Sequence, residues 1–112
     1  MTRRDDSVYL RHMLDYARDA TAIIQGRNRE DLESDRTFRY ALLHVACITG
    51  EAAARVSTDG RKKHPDIPWK PLVGMRNRLI HGYETVDLDI LWGTVADDFP
   101  LLIKSLEATL AE

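Results

Sequence analysis

Apolar side chains return at three- and four-residue intervals along most of the chain, the pattern of helices that each bury one face. Leu10, Met13, Leu14, Ala17, Thr21 and Ile24 keep one such phase, which predicts a first helix over residues 7–25. Asp5, Asp6 and Ser7 put acids and a capping hydroxyl at its start, and Gly26 is placed to end it. Residues 27–34 are polar and read as a connection with a short turn near 30–32. A second helix is predicted over 35–56, with Phe38, Ala41, Leu42, Val45, Ala46, Thr49, Ala52, Ala53 and Val56 on one face. Gly50 interrupts it. An interior glycine costs a helix about 1 kcal/mol relative to alanine, so Gly50 predicts close approach of another backbone.

Residues 57–68 read as a loop holding Gly60, the basic run Arg61-Lys62-Lys63-His64, Pro65 and Pro68. A third helix is predicted over 69–81, with Pro71 in its first turn, Leu72, Met75 and Leu79 as its stripe, and Gly82 as its stop. Residues 84–87 link to the last segment, with Asp87 as N-cap. There Leu88, Leu91, Trp92, Val95, Phe99, Leu102, Leu106 and Leu110 hold one phase through Pro100. A phase that survives a proline predicts one helix kinked at Pro100. No segment alternates as a strand. The expected fold is a single all-α domain over 1–112, an up-and-down bundle of four to five helices.

Composition narrows the function. The chain has 112 residues, 44% hydrophobic and 30% charged, which fits one globular domain with a lean core. Its formal charge of -2 supplies no global pull toward nucleic acid, so any RNA contact needs a local basic patch. The single cysteine, Cys47, lies in an apolar stretch and reads as a small buried hydrophobe. The polar start lacks a signal-peptide core and no apolar run reaches membrane length, so a cytoplasmic location is expected.

Chemistry concentrates in Arg76-Asn77-Arg78-Leu79-Ile80-His81-Gly82-Tyr83. Arginine is a permanent cation whose fork fits phosphate oxygens, and histidine exchanges a proton near neutral pH. Together they supply what metal-free cleavage of RNA needs: a proton carrier between the 2′-hydroxyl, the leaving 5′-oxygen and solvent, and a cation at the phosphoryl oxygens. With the 2′-hydroxyl as internal nucleophile, DNA would be spared. On a straight helix Arg76 and His81 would stand about 140° apart. Three arrangements remain open: a long Arg76 swings toward His81, Gly82 distorts the helix end, or two copies face one cleft. The spacing equally allows a surface ion pair at Arg76, a dipole contact at His81 and a packing or capping Tyr83. The basic run at Arg61, Lys62 and Lys63 is either solvated surface or a binding strip beside an anion site. Glu51 is either exposed or paired with an arginine, where it could support Arg76. His12, His44 and His64 show no metal-ligand spacing with Cys47, and neither a P-loop nor a dinucleotide motif is present.

The chain resembles the HepT-like HEPN family over nearly its whole length. Tyr9-Leu10-Arg11-His12-Met13-Leu14 is similar to the family's first helix, and Ile48-Thr49-Gly50-Glu51-Ala52 to its Gly-Glu-Ala signature. His64-Pro65-Asp66-Ile67-Pro68-Trp69 resembles its Pro-x-Ile-Pro-Trp segment. Gly74-Met75-Arg76-Asn77 with His81-Gly82-Tyr83 resembles its Arg-x4-His-x-Tyr motif, and Val86-Asp87, Leu91-Trp92 and Phe99-Pro100-Leu101-Leu102 its last helix. The resemblance implies a dimeric helical bundle acting as a metal-independent ribonuclease without a cofactor. It implies Arg76 and His81 as the catalytic pair, with Asn77 as the polar residue that follows the arginine; from the residues themselves Arg78 and Glu51 are candidates for support and Arg61, Lys62 and Lys63 for RNA binding. It further implies a toxin–antitoxin pair in which a minimal nucleotidyltransferase adenylylates Tyr83. The alternative is a non-catalytic subunit that binds a nucleotide or substrate for that partner.

Overall fold

The computed structural model describes residues 5–83 and 85–111. Glu84, the first residue of the expected link, lies outside them, as do residues 1–4 of the polar start. Every named element is helical: α1 (Asp6–Ile23), α2 (Asp31–Ser34), α3 (Arg36–Ala54), α4 (Thr58–Lys63), α5 (Trp69–Val73), α6 (Met75–Leu79), α7 (Leu88–Gly93), a π-helical turn (Thr94–Asp98) and α8 (Phe99–Ala111). They string into four rods, with α5–α6 as the third and α7 through α8 as the fourth.

The rods run up and down. The N-terminus of α1 meets the C-terminus of α3, where the backbone N–H of Ser57 donates to the Asp6 carboxylate at 2.9 Å. Arg18 on α1 donates to Glu107 on α8 at 2.6 Å, while Arg11, nearer the start of α1, shares a surface hollow with Ala111. Gly50 of α3 faces α5–α6 at Leu72 and Met75, while Leu43, earlier in α3, lies by Ile80. Each of these pairings is antiparallel. The core at the centre holds Met13, Leu14, Ala17, Leu42, Ala46, Met75, Leu79, Leu91, Val95, Phe99 and Leu106, all fully buried or nearly so. Helix α1 packs chiefly on α3 and α8, and α3 on α5.

Side-chain caps fix where the long helices begin. Asp5 accepts from the backbone N–H of Ser7 at the start of α1, and Asp35 from that of Phe38 at the start of α3. Asp35 is held below the usual carboxylate range by the Arg27 guanidinium first, at 2.8 Å, and then by the Phe38 N–H. The expected ending of α1 holds, with Gly26 at φ 72° in the turn that follows. The close approach expected at Gly50 is present: a Cβ there would collide with the carbonyl oxygen of Leu72 and lie 2.7 Å from Met75 Cβ. That contact seats α5–α6 directly on α3.

Three expectations need correction. The expected loop 57–68 contains α4, started by the Ser57 hydroxyl, which accepts from the Gly60 N–H at 3.0 Å. The expected helix 69–81 is broken at Gly74 and ends at Leu79, because Ile80 turns to extended backbone with φ −109° and ψ 115°. Among the described residues there is no strand, as the lack of alternation leads one to expect; Ile80 and Val86 form only an isolated antiparallel bridge. Finally, the irregularity expected at Pro100 lies just before it. Across Thr94–Asp98 the chain opens into a π turn in which the Phe99 N–H reaches back five residues to the Thr94 carbonyl. That wider spacing accommodates a residue with no N–H to donate without ending the helical path. Among the described residues no helix is long and apolar enough to cross a membrane.

Candidate functional site

Helix α6 is short, and its two core residues decide where its polar ones go. Met75 and Leu79 are buried, which turns Arg76 and Asn77 outward. Beyond Leu79 the chain forms a tight excursion and returns. The His81 N–H donates to the Thr85 carbonyl and the Asp87 N–H to the Leu79 carbonyl, both at 2.8 Å. Gly82 takes φ +116°, a conformation side-chain-bearing residues rarely adopt, and so permits the turn. Tyr83, next to it, is 98% exposed. The His81 imidazole is half-exposed, with Nε2 3.7 Å from Asp87 Oδ2. The other oxygen of Asp87 accepts from the Ile90 N–H at 3.0 Å and caps α7. The carboxylate beside His81 is thus itself held in place.

Arg76 faces α3. It lines an open groove of about 540 Å³ together with Tyr40, His44, Cys47 and Glu51. Burial pushes the Cys47 thiol up, the Arg76 guanidinium opposes that rise, and Glu51 adds to it, so both charges act on the thiol across the groove. Arg76 and Glu51 form no ion pair. The groove continues past Tyr40, Leu43 and Ile80 into a cavity of about 440 Å³ that Arg36, Arg39 and Tyr83 also line.

The fold therefore brings Arg76 and Glu51 together and sets Tyr83 at the far end of the same surface. Among the described residues, no hydrogen bond, ion pair or ring contact joins Arg76 to His81 within one chain. Asn77 is exposed. Arg78, two residues on from Arg76, points elsewhere and lines a separate cavity of about 340 Å³ with Asp98 and Phe99. Of the basic run, Arg61 donates to the carbonyls of Ala54 and Val56 and so caps the end of α3. Lys62 and Lys63 are its exposed charges.

Two features escaped the sequence. Asp87 reads as a helix cap, and nothing in its spacing from His81 signals that the turn folds it back. Arg36, Arg39 and Tyr40 were legible in principle, since their i, i+3, i+4 spacing places them on one face of α3.

Comparison with known proteins adds three kinds of finding. The family model described as ribonuclease HepT-like matches residues 13–109. A Methanocaldococcus jannaschii protein named as a candidate RNase is 35% identical over 107 residues, which cover 96% of this chain and 98% of that one. A Thermococcus cleftensis protein named a probable ribonuclease HepT is 40% identical over 78 residues, 70% of this chain and 71% of the other. A Caldanaerobacter subterraneus protein, also named as a candidate RNase, is 33% identical over 102 residues, 91% of each chain. No solved structure matches the chain at a significant level.

Proposed function

Because this chain belongs to the HepT-like ribonuclease family, we propose that it is an RNA endonuclease toxin that cuts without a metal ion, using Arg76 and His81. In the proposed reaction the 2′-oxygen of a ribose attacks the adjacent phosphorus and loses its proton to an imidazole. The P–O5′ bond breaks, the 5′-oxygen takes a proton, and a 2′,3′-cyclic phosphate and a 5′-hydroxyl result. Arg76 would stabilise the charge on the non-bridging oxygens, and Asp87 would hold the His81 ring in register as a positioning residue. A second copy across the Arg76 groove would bring a second imidazole, so that one could act as base and the other as acid. Asn77 and Glu51 would support Arg76, Lys62 and Lys63 would hold RNA further out, and Arg78 would act only at a distance.

The observation that carries this reading is that Arg76 on α6 and His81 and Tyr83 in the turn that follows it all stand exposed, with Arg76 free of any ion pair among the described residues. Silencing by a nucleotidyltransferase partner fits the same geometry. An adenylyl group on the phenol of Tyr83 would add bulk and negative charge on the surface Arg76 shares. The test is cleavage of single-stranded RNA by the purified protein in excess EDTA. Wild type should cut, Arg76→Ala and His81→Ala should not, and Tyr83→Phe should cut while resisting silencing by the partner. Equal, background-level cutting by wild type and His81→Ala sinks the proposal. Phosphate binding without turnover would favour a non-catalytic binding subunit, a reading favoured by the lack of contact between Arg76 and His81 within one chain.

A further inference from the structure

The cavity beyond Tyr40 has a composition that asks for an anion. Two guanidiniums line it, from Arg36 and Arg39, and among the described residues no carboxylate does. Asp35, the nearest acid in sequence, is already taken by Arg27 at 2.8 Å. Arg36 makes no hydrogen bond or ion pair among the described residues and is exposed. Arg39 is braced by one bond, from Nη1 to the Leu32 carbonyl at 2.8 Å, and its guanidinium carbon lies 5.5 Å from the centre of the Tyr40 ring. Tyr40, although aromatic, is 59% exposed. The volume, about 440 Å³, falls in the ~300–1,000 Å³ range of small-ligand sites.

We infer that this cavity is the RNA subsite that holds one nucleotide next to the scissile phosphate. Arg36 and Arg39 grip a backbone phosphate and the Tyr40 ring stacks on the base. A cationic wall beside a flat, exposed aromatic is the pairing by which proteins hold single strands without reading their sequence. The cavity opens into the Arg76 groove through the shared wall of Tyr40, Leu43 and Ile80, so a strand gripped here runs on toward Arg76. A second copy of the chain is a poorer occupant. It would strip water from two guanidiniums that no described residue of the cavity wall neutralises. The identity of the anion as RNA rests on the ribonuclease reading above. Tyr83 lines the same cavity, so an adenylyl group on its phenol would occupy the nucleotide's own place.

The test reads binding rather than cleavage. In a His81→Ala background, a short fluorescein-labelled single-stranded RNA is titrated by fluorescence anisotropy between about 50 and 200 mM salt. Tyr40→Ala should weaken binding about fivefold to a hundredfold, the loss of one stacked base, and Tyr40→Phe should restore it. Arg36→Ala should lower the slope of log affinity against log salt by about 0.7, the loss of one phosphate contact. Affinity and slope unchanged in both variants would overturn the inference. So would a shift of the monomer–dimer balance by Tyr40→Ala in the absence of RNA, which would make the cavity an interface between copies. If wild type fails to cut RNA while these binding losses appear, the subsite stands and the nuclease reading falls. If wild type cuts and the variants bind as tightly as their parent, only the subsite falls.

Discussion

Gly50 is where packing bears most directly on the proposed site, and Gly50→Ala is the perturbation that exposes it. In an open helix the change should stabilise, because alanine gains about 1 kcal/mol of helix propensity over glycine. Here the added Cβ would run into the Leu72 carbonyl oxygen and lie 2.7 Å from Met75 Cβ. A carbonyl in the backbone cannot swing aside as a side-chain tip can, so α5–α6 must move off α3. Overpacking of this kind costs about 1–3 kcal/mol. Set against the propensity gain, the net loss is about 0–2 kcal/mol, and because the obstruction is main chain the upper half, about 1–2 kcal/mol, is expected. For a domain of this size that lowers Tm by about 4–8 °C. The same displacement carries Arg76, which stands one residue beyond Met75. A misplacement of about 1 Å in a catalytic group can cost on the order of a hundredfold in rate. Cleavage by the folded variant at 25 °C should therefore fall about ten- to a hundredfold. Thermal melts by circular dichroism and RNA cleavage on the same sample read both effects. A rise in Tm for Gly50→Ala would refute the claim that α3 and α5–α6 touch backbone to side-chain root at this point.

Two further outcomes follow from the charges. Because burial raises the Cys47 thiol and Arg76 opposes that rise, the midpoint of its alkylation rate against pH should lie above the ordinary 9.0 and climb further in Arg76→Ala. A midpoint that stays put would place Arg76 away from α3. Asp35 has its folded pKa depressed, so its contribution to stability is complete above its ordinary value of 3.8 and is lost as pH falls through the lower folded value. Urea midpoints of wild type and Asp35→Asn should accordingly differ at pH 7 and converge below that value, and a gap that persists in acid would contradict the Arg27–Asp35 account.

Much of the scaffold was legible because caps and periodicity agreed. Asp5, among the acids read at the first helix start, and Asp35, where the second was expected to begin, cap α1 and α3, while Ser7, the expected capping hydroxyl, lies inside α1. Gly50 stood out because glycine inside a helix has a cost that only close packing offsets. The region around the site was harder to read for a physical reason. Ile80 and Val86 carry apolar side chains that fit a helical stripe as well as a bridge, so the pattern ran the third helix on to His81. Only tertiary pairing, with Asp87 bonded back to Leu79, reveals that the chain leaves the helix at Ile80. The relation of His81 to Asp87 was hidden by the same ambiguity. In the basic run, charge could be read but commitment could not: Arg61 spends its guanidinium on the end of α3, while Lys62 and Lys63 remain in solvent.

The proposed cleavage proceeds by attack of a ribose hydroxyl with no metal ion involved. The measurement that meets it head-on uses an RNA cut by wild type, compared with the same strand carrying a single 2′-deoxy sugar at the cut site, both in excess EDTA. Mass spectrometry should find a 2′,3′-cyclic phosphate from the first strand and an intact second strand. Cleavage at the deoxy position, or activity that EDTA abolishes and a divalent ion restores, would contradict it.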